Sequence, residues 1–326
     1  MLTPRDRILI LMPVFNDWDS AALLLRDLDR ALASQAVDPD ALIVDDGSTV
    51  LMPAGFPGHR FGTLRKVEIL RLRRNLGHQR AIAVGLVHVH QNIPCRAVVL
   101  MDADGEDRAD DVPKLLHRFY QDGQKQIIFA ARTKRLESAA FRLLYHAYRL
   151  LHRLLVGIPV HVGNFSIIPR EDVERLAVTA ELWNHYAAAV FRTRLPFQAI
   201  PLPRGRRLAG ESKMDLIALV AHGLSAISVF GDVVGARLLA LAGAAIGMAS
   251  LLIAAVIVVR LATDLAIPGW ATYTTGIIVA ILLQAVMIAF LLVFMILGSR
   301  VHASFLPVRD CPHFVGGVDR VFPADD

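Results

Sequence analysis

Up to about Ser212, short unbroken apolar runs alternate with stretches whose apolar residues recur at helical spacing. Ile8–Met12, Ala41–Val44, Val67–Leu72, Ala97–Met101 and Gln126–Ala131 have the length and continuity of strands buried on both faces. Ser20–Ala33, His78–His90 and Asp111–Gln121 carry the helical period between them. This alternation predicts an α/β domain, Rossmann-like, with a mostly parallel sheet covered by helices. Ligands of such sheets lie beyond the carboxyl ends of the strands. That edge collects Pro13, Asp45, Asp46, Asp102 and Asp104.

Downstream, Ser138–Val156 reads as a helix with Arg142, Arg149 and Arg153 along one side, Gly163–Pro169 as extended, and Glu181–Arg194 as a helix. The pattern then changes. Leu238–Val259 runs 22 residues without a charge, and Gly276–Gly298 runs 23 with Gln284 as its only strongly polar side chain. At about 1.5 Å per residue each can cross a hydrocarbon core of about 30 Å; two buried helices of a soluble protein are the alternative. The short link Leu261–Trp270 makes the pair a hairpin, with Trp270 and Tyr273 where interfacial aromatics are expected. Arg237, Arg300 and Arg309 flank its outer ends, against Arg260 and Asp264 at the turn, so the positive-inside rule places both termini in the cytosol. Between sheet domain and hairpin, Ile217, Val220, Leu224 and Ile227 form one face and Asp215, His222, Ser225 and Asp232 another. This predicts an amphipathic helix in the headgroup plane, or else an ordinary surface helix. The expected division is a catalytic domain (1–212), a juxtamembrane helix (213–232), a transmembrane hairpin (233–300) and a cytosolic tail (301–326).

The composition sharpens this picture. Hydrophobic residues make up 54% of the 326-residue chain, and the excess is concentrated in the hairpin. The N-terminus lacks a signal-peptide pattern, since Arg5, Asp6 and Arg7 lead directly into the first strand. Two distant cysteines, Cys95 and Cys311, argue against a disulfide framework or a zinc site and fit a reducing cytosol. A net charge of +5 suits nucleotide, phosphate or lipid headgroups, but the scattered arginines form no aromatic-basic platform for nucleic acid.

The chemistry centres on Asp102-Ala103-Asp104-Gly105-Glu106, directly after an apolar strand. Carboxylates two residues apart at an extended strand end share a face and can converge on one hard cation, Mg2+ or Mn2+, that also bridges substrate phosphates. Such a triplet by itself is usually a solvated loop. Its position beside a second acidic strand end, Asp45-Asp46, gives it weight.

In order along the chain, Ile8–Asp17, Leu42–Ser48, Arg74–Leu86 and Val99–Asp107 resemble the signature segments of the inverting family 2 glycosyltransferases with the GT-A fold. Gly163–Arg170 and Arg204–Lys213 are similar to the acceptor-side motifs of the polyprenyl-phosphate glycosyltransferase branch, which includes the dolichyl-phosphate mannose synthases. The resemblance spans about residues 7–300, and the lack of a Q-x-x-R-W motif argues against a processive synthase. It implies that Pro13, Phe15 and Asp17 floor the nucleotide pocket and that Asp45 and Asp46 contact base or ribose. For Asp45, a cap on the following turn is the competing role. Asp102 and Asp104 are implied to hold metal and diphosphate. Glu106, standing where many relatives have Gln, is implied as a further metal ligand.

The resemblance further implies a nucleotide-sugar donor, UDP- or GDP-linked, a polyprenyl phosphate acceptor, and a place in the bacterial inner membrane among its lipids. An acceptor phosphate arrives ionised and needs positioning more than a base. Arg204, Arg207, Ser212 and Lys213 are the candidate clamp, against the simpler role of attracting anionic lipid. Arg132 and Arg135 are weaker candidates for either phosphate group. His78 and Gln79 either line the site or cap a helix, and Asn164 is a candidate sugar contact. Two other functions are open at this point: transfer to a glycerolipid or ceramide hydroxyl, which needs a base, and a non-catalytic nucleotide-sugar-binding subunit. The hairpin is also a candidate surface for a homo-oligomer.

Overall fold

The structure, a computed structural model, describes residues 6–133, 154, 157, 162–210, 225–262, 269–301 and 305–323. The chain divides into two compact units: Met1–Arg142 with Val160–Val229 and Phe305–Asp326, and Leu143–Pro159 with Phe230–Ser304.

The first unit is built on one eight-stranded sheet of order β7-β5-β6-β4-β1-β2-β3-β8. Its strands are β1 (Asp6–Val14), β2 (Val37–Asp45), β3 (Lys66–Leu72), β4 (Ala97–Leu100), β5 (Ile127–Thr133), β6 (Ser166–Pro169), β7 (Phe197–Pro203) and β8 (Val315–Phe322). β4, β1, β2 and β3 run parallel, as do β5 and β7, whereas β6 and β8 pair antiparallel to their neighbours. Successive strand side chains point to opposite faces, so Ile8, Ile10 and Met12 join a core with α1 (Trp18–Leu32) and α3 (Val112–Gln121). Leu9 and Leu11 join a second core with α2 (His78–Asn92), α4 (Arg170–Ala177) and α5 (Tyr186–Arg192). The apolar runs in the sequence thus become strands with helices on both faces.

Three features depart from the sequence reading. β7 went unrecognised because Pro201 and Pro203 interrupt it; at a sheet edge the missing N–H groups break no ladder. The helix expected over 181–194 is divided into a short 3-10 turn at Ala180–Trp183 and α5, with His185 Nδ1 accepting the Ala188 N–H at 3.4 Å. The third departure is the larger. Residues 301–326, expected as a cytosolic tail with no element assigned, include β8, which pairs with β3 at the sheet edge. Cys311 is fully buried, Phe305 stacks on Trp183 with centroids 4.0 Å apart, and Phe314 stacks on the same ring at 5.3 Å. Arg71 and Asp319 form an ion pair across the β3–β8 seam. Apolar burial at Phe305, Cys311 and Phe314 fastens a segment whose Gly316-Gly317 pair looks loop-like.

The second unit contains α6 (Gly231–Ala262) and α7 (Trp270–Val301), each of 32 residues and both longer than the expected spans. They pack along one another. The buried residues of α6 are Gly235, Ala242, Ala249 and Val256, one at every seventh position, as in paired helices that approach through small side chains. Leu251, Met287 and Phe294 are 68%, 71% and 70% exposed, so the outer faces of the pair are not buried in a core. Both helices are long and apolar enough to cross a membrane. Of the expected juxtamembrane helix, residues 213–224 lie outside the described residues; 225–228 are helical, and Ala226 and Val229 are buried. The helix expected over 138–156 lies outside the described residues except for Leu154.

Candidate active site

The carboxyl ends of β1, β2 and β4 converge because the strands are parallel and adjacent: Val14 sits opposite Asp45, and the Met101 N–H bonds the Leu11 carbonyl at 3.1 Å. Beyond β4 the chain turns tightly. Gly105 takes a φ of +85°, the Glu106 N–H bonds Asp104 Oδ1 at 3.0 Å, and the Asp102 N–H bonds Asp107 Oδ2 at 2.9 Å. This turn leaves the side chains of Asp102 and Asp104 each 23% exposed. Two solvent-accessible carboxylates at a strand end are a hard oxygen donor set that suits magnesium or manganese sharing its other positions with phosphate and water. Among the described residues no group of three or more His, Cys, Asp or Glu could hold a metal ion.

Glu106, implied as a further ligand, is ion-paired with Arg204. Residues 204–208 dock on the acidic turn through Gly205 N–H to the Glu106 carbonyl, 2.8 Å, and Leu208 N–H to the Asp104 carbonyl, 2.9 Å. Arg207 bonds the carboxylate of Asp17, reaches Asp104 Oδ2 at 3.3 Å, and donates from Nε to the Ala209 carbonyl at 2.8 Å. Sequence reasoning set Arg204 and Arg207 on the acceptor phosphate, apart from the donor carboxylates; the structure attaches both to those carboxylates. Burial lowers the Arg204 pKa, although Asp104 and Asp102 act in the opposite direction. Ser212, Lys213 and Arg135 lie outside the described residues, and Arg132 lies near the end of β5.

The Asp46 carboxylate is turned inward. It is 3% exposed and receives the Leu76 N–H at 2.7 Å and the Gly77 N–H at 2.9 Å, one on each carboxylate oxygen. Burial pushes its pKa up while those two N–H groups pull it down, with a net rise. It anchors the loop leading into α2 through one backbone N–H on each oxygen. Asp45 receives the Ser48 N–H at 2.9 Å, the turn cap that was its competing role. Pro13 is buried within β1, whereas Phe15 is 41% exposed beyond it. Asn16, which sequence reasoning passed over, adopts a φ of +54° and ties the two loops, donating to Thr49 Oγ1 at 2.9 Å and receiving the Val50 N–H at 2.8 Å. Asparagine is one of the few residues that tolerates that backbone region.

His78, Gln79 and Asn164 do come together beside Asp102. The Tyr186 N–H bonds Gln79 Oε1 at 2.8 Å, and Gln79 Nε2 bonds Asn164 Oδ1 at 3.1 Å. The Asn164 amide nitrogen lies 2.9 Å from His78 Nε2, which is 3.2 Å from Asp102 Oδ1. Protein around the ring disfavours its charge. The carboxylates of Asp102, Asp104 and Asp107 outweigh that and raise the His78 pKa. Arg170, the last residue of the Gly163–Arg170 motif, is structural: its guanidinium donates to the carbonyls of Val89 (3.1 Å), Ile93 (2.7 Å) and His90 (2.5 Å), closing the C-terminus of α2.

Residues 9–177 match the family model described as Glycosyl transferase family 2. Over 310 residues the chain is 25% identical to the uncharacterized glycosyltransferase YkcC of Bacillus subtilis (strain 168), covering 94% of this chain and 92% of that protein. Over 323 residues it is 25% identical to an undecaprenyl-phosphate 4-deoxy-4-formamido-L-arabinose transferase of Klebsiella pneumoniae (strain 342), covering 92% and 87%. Among solved structures, the glucosyl-3-phosphoglycerate synthase of Mycobacterium tuberculosis, crystallised with Mn2+, UDP-glucose and phosphoglyceric acid, shares the fold. The TM-score is 0.51 at 17% identity, over 71% of this chain and 80% of that one.

Proposed function

The chain belongs to glycosyl transferase family 2, and on that premise we propose that it transfers a sugar, with inversion, from a UDP- or GDP-sugar to a polyprenyl phosphate at the cytosolic face of a membrane. The observation that carries this reading is the acidic turn at the end of β4, where Asp102 and Asp104 face Arg204 and Arg207. Relatives named for transfer to undecaprenyl phosphate support the acceptor class, and two membrane-length helices in the same chain support a lipid-borne one.

Asp102 and Asp104 would hold a divalent cation, which would supply positive charge to the diphosphate leaving group. The chain's own residues do the rest. Asp107 and Gly105 hold the two carboxylates in one turn. Arg204 and Arg207 bring guanidinium groups to the same edge, where they can bond phosphate oxygens. His78, held between Asn164 and Asp102, borders the cluster. Ser212 and Lys213 keep their proposed role at the acceptor phosphate, which is already ionised and attacks the anomeric carbon without a strong base.

The sheet supports the topology as well. Segments before and after the hairpin belong to one sheet through the β3–β8 pairing, so both flanks of a hairpin that crosses a bilayer share one compartment. The positive flanks make that compartment the cytosol.

The test is to incubate the purified protein with a panel of nucleotide sugars, undecaprenyl phosphate and Mn2+, then identify lipid products by mass spectrometry. A glycosylated lipid phosphate that disappears with EDTA and with Asp104→Ala is the expected result. Transfer only to a lipid hydroxyl, or transfer indifferent to both changes, overturns the reading.

A further inference from the structure

We propose that Arg207 couples the divalent cation to the nucleotide: its guanidinium holds Asp17 and Asp104 as an internal counter-cation and gives up Asp104 only when a diphosphate arrives to receive it. The inference rests on the reading of Asp102 and Asp104 as cation ligands.

Arg207 joins carboxylates from two different loops, Asp17 beyond β1 and Asp104 beyond β4. Its backbone cannot easily withdraw. Leu208 N–H bonds the Asp104 carbonyl and Gly205 N–H bonds the Glu106 carbonyl. The two loops also meet through glycine: a Cβ on Gly105 would come within 2.3 Å of Leu208 Cγ, and one on Gly205 within 2.5 Å of the Gly105 carbonyl oxygen. With the backbone pinned on the acidic turn, the flexible part is the side chain, 22% exposed and long enough to swing.

A cation that shares the Asp104 carboxylate puts two further positive charges beside a guanidinium already bonded to it. Like charges at such separations oppose one another strongly in a partly dry site. A diphosphate reverses the balance, because its oxygens accept the guanidinium in the forked geometry arginine favours and add negative charge next to the cation. Cation and nucleotide therefore bind as a pair, and by linkage each strengthens the other to the same degree. An arginine that only contacts the diphosphate behaves differently: its loss weakens nucleotide binding and leaves the cation's own affinity unchanged.

The test is a Mn2+ titration, read by the electron paramagnetic resonance of the free ion, on the full-length protein in detergent. Wild type, Arg207→Gln and Arg207→Lys are each measured alone and with UDP or GDP. Arg207→Gln is expected to bind Mn2+ alone about tenfold more tightly than wild type, and the enhancement by nucleotide to shrink by a similar factor. Lysine keeps the charge without the fork across both carboxylates, so Arg207→Lys falls between the two and serves if the glutamine variant fails to fold. Equal or weaker Mn2+ binding by both variants without nucleotide overturns the coupling while leaving the glycosyltransferase reading intact. Mn2+ binding by none of the three proteins, with or without nucleotide, defeats the cation reading of Asp102 and Asp104 and the coupling with it.

Discussion

The carboxylate of Asp107, 2% exposed, accepts the backbone N–H of Asp102 at 2.9 Å. This contact fixes the first residue of the acidic turn relative to its last, so the aim of Asp102 depends on a buried side chain. Removing a buried acceptor leaves its donor unsatisfied, at a cost of about 1–3 kcal/mol. Asp107→Ala is expected to lower the thermal midpoint and to cut sugar transfer more than tenfold, with a higher Mn2+ requirement. Asp107→Asn, whose amide oxygen can still accept the N–H, is expected to recover part of both. Steady-state transfer assays across a Mn2+ series check this.

Asp46 serves two N–H groups at the entry to α2. Asp46→Ala leaves both without their acceptor, and about 2–4 kcal/mol of stability is expected to go with them. Asp45→Ala, which loses only the turn bond to the Ser48 N–H, is expected to cost less than about 1 kcal/mol. Denaturation of the two variants side by side in detergent measures the difference. A larger loss for the Asp45 variant contradicts the assignment.

The His78 pKa is raised above its ordinary 6.5, because nearby carboxylates outweigh the effect of burial. A raised folded-state value means that protonation favours the fold. The contribution is complete below about 6.5 and is lost as pH rises through the folded value. In EDTA, the thermal midpoint of wild type is therefore expected to fall relative to that of His78→Gln across this window. Parallel pH profiles for the two proteins show that His78 adds nothing to the pH dependence.

Arg170 closes α2 through three carbonyls. Charge-assisted bonds of this kind at a helix C-terminus are strong and act on the dipole as well. Arg170→Ala is expected to cost about 3 kcal/mol, with Lys restoring only part because it lacks the fork. Arg175→Ala removes an arginine that is 61% exposed but paired with Asp172, which is 3% exposed, and its effect is expected to be smaller than that of Arg170→Ala. Both are read by urea denaturation in detergent.

The central strands were legible in the sequence because each is buried on both faces and shows as an unbroken apolar run, as at Ile8–Met12 or Ala97–Met101. Edge strands lack that signature. β7 carries prolines and β8 carries paired glycines, and what holds them is pairing to a distant strand. The acidic turn was likewise readable, since local spacing and the preceding strand together placed it. The partners of its carboxylates were not. Nothing in the spacing of Arg204 and Arg207 shows that two backbone bonds set them on a turn about a hundred residues earlier. Nor does the Asp45-Asp46 pair show that one carboxylate turns inward and the other caps a turn. Such choices follow from which N–H groups the loop at Leu76–Gly77 leaves unpaired, a fact of tertiary structure.

The place of β8 after both apolar helices also sets an order of events during synthesis. The first seven strands leave the ribosome before the hairpin does, and the edge of β3 then stands open while α6 and α7 are being made. Only when Val315–Phe322 emerges can that edge be paired and Trp183 be covered by Phe305 and Phe314. In the proposed topology, a nascent chain whose second apolar helix stays on the wrong side of the bilayer would leave its last strand out of reach. The sheet then remains unfinished, its exposed edge open to chaperones and proteases. In the proposed topology, completion of the sheet would thereby act as a checkpoint on insertion, since a finished sheet would require a hairpin that has crossed and returned.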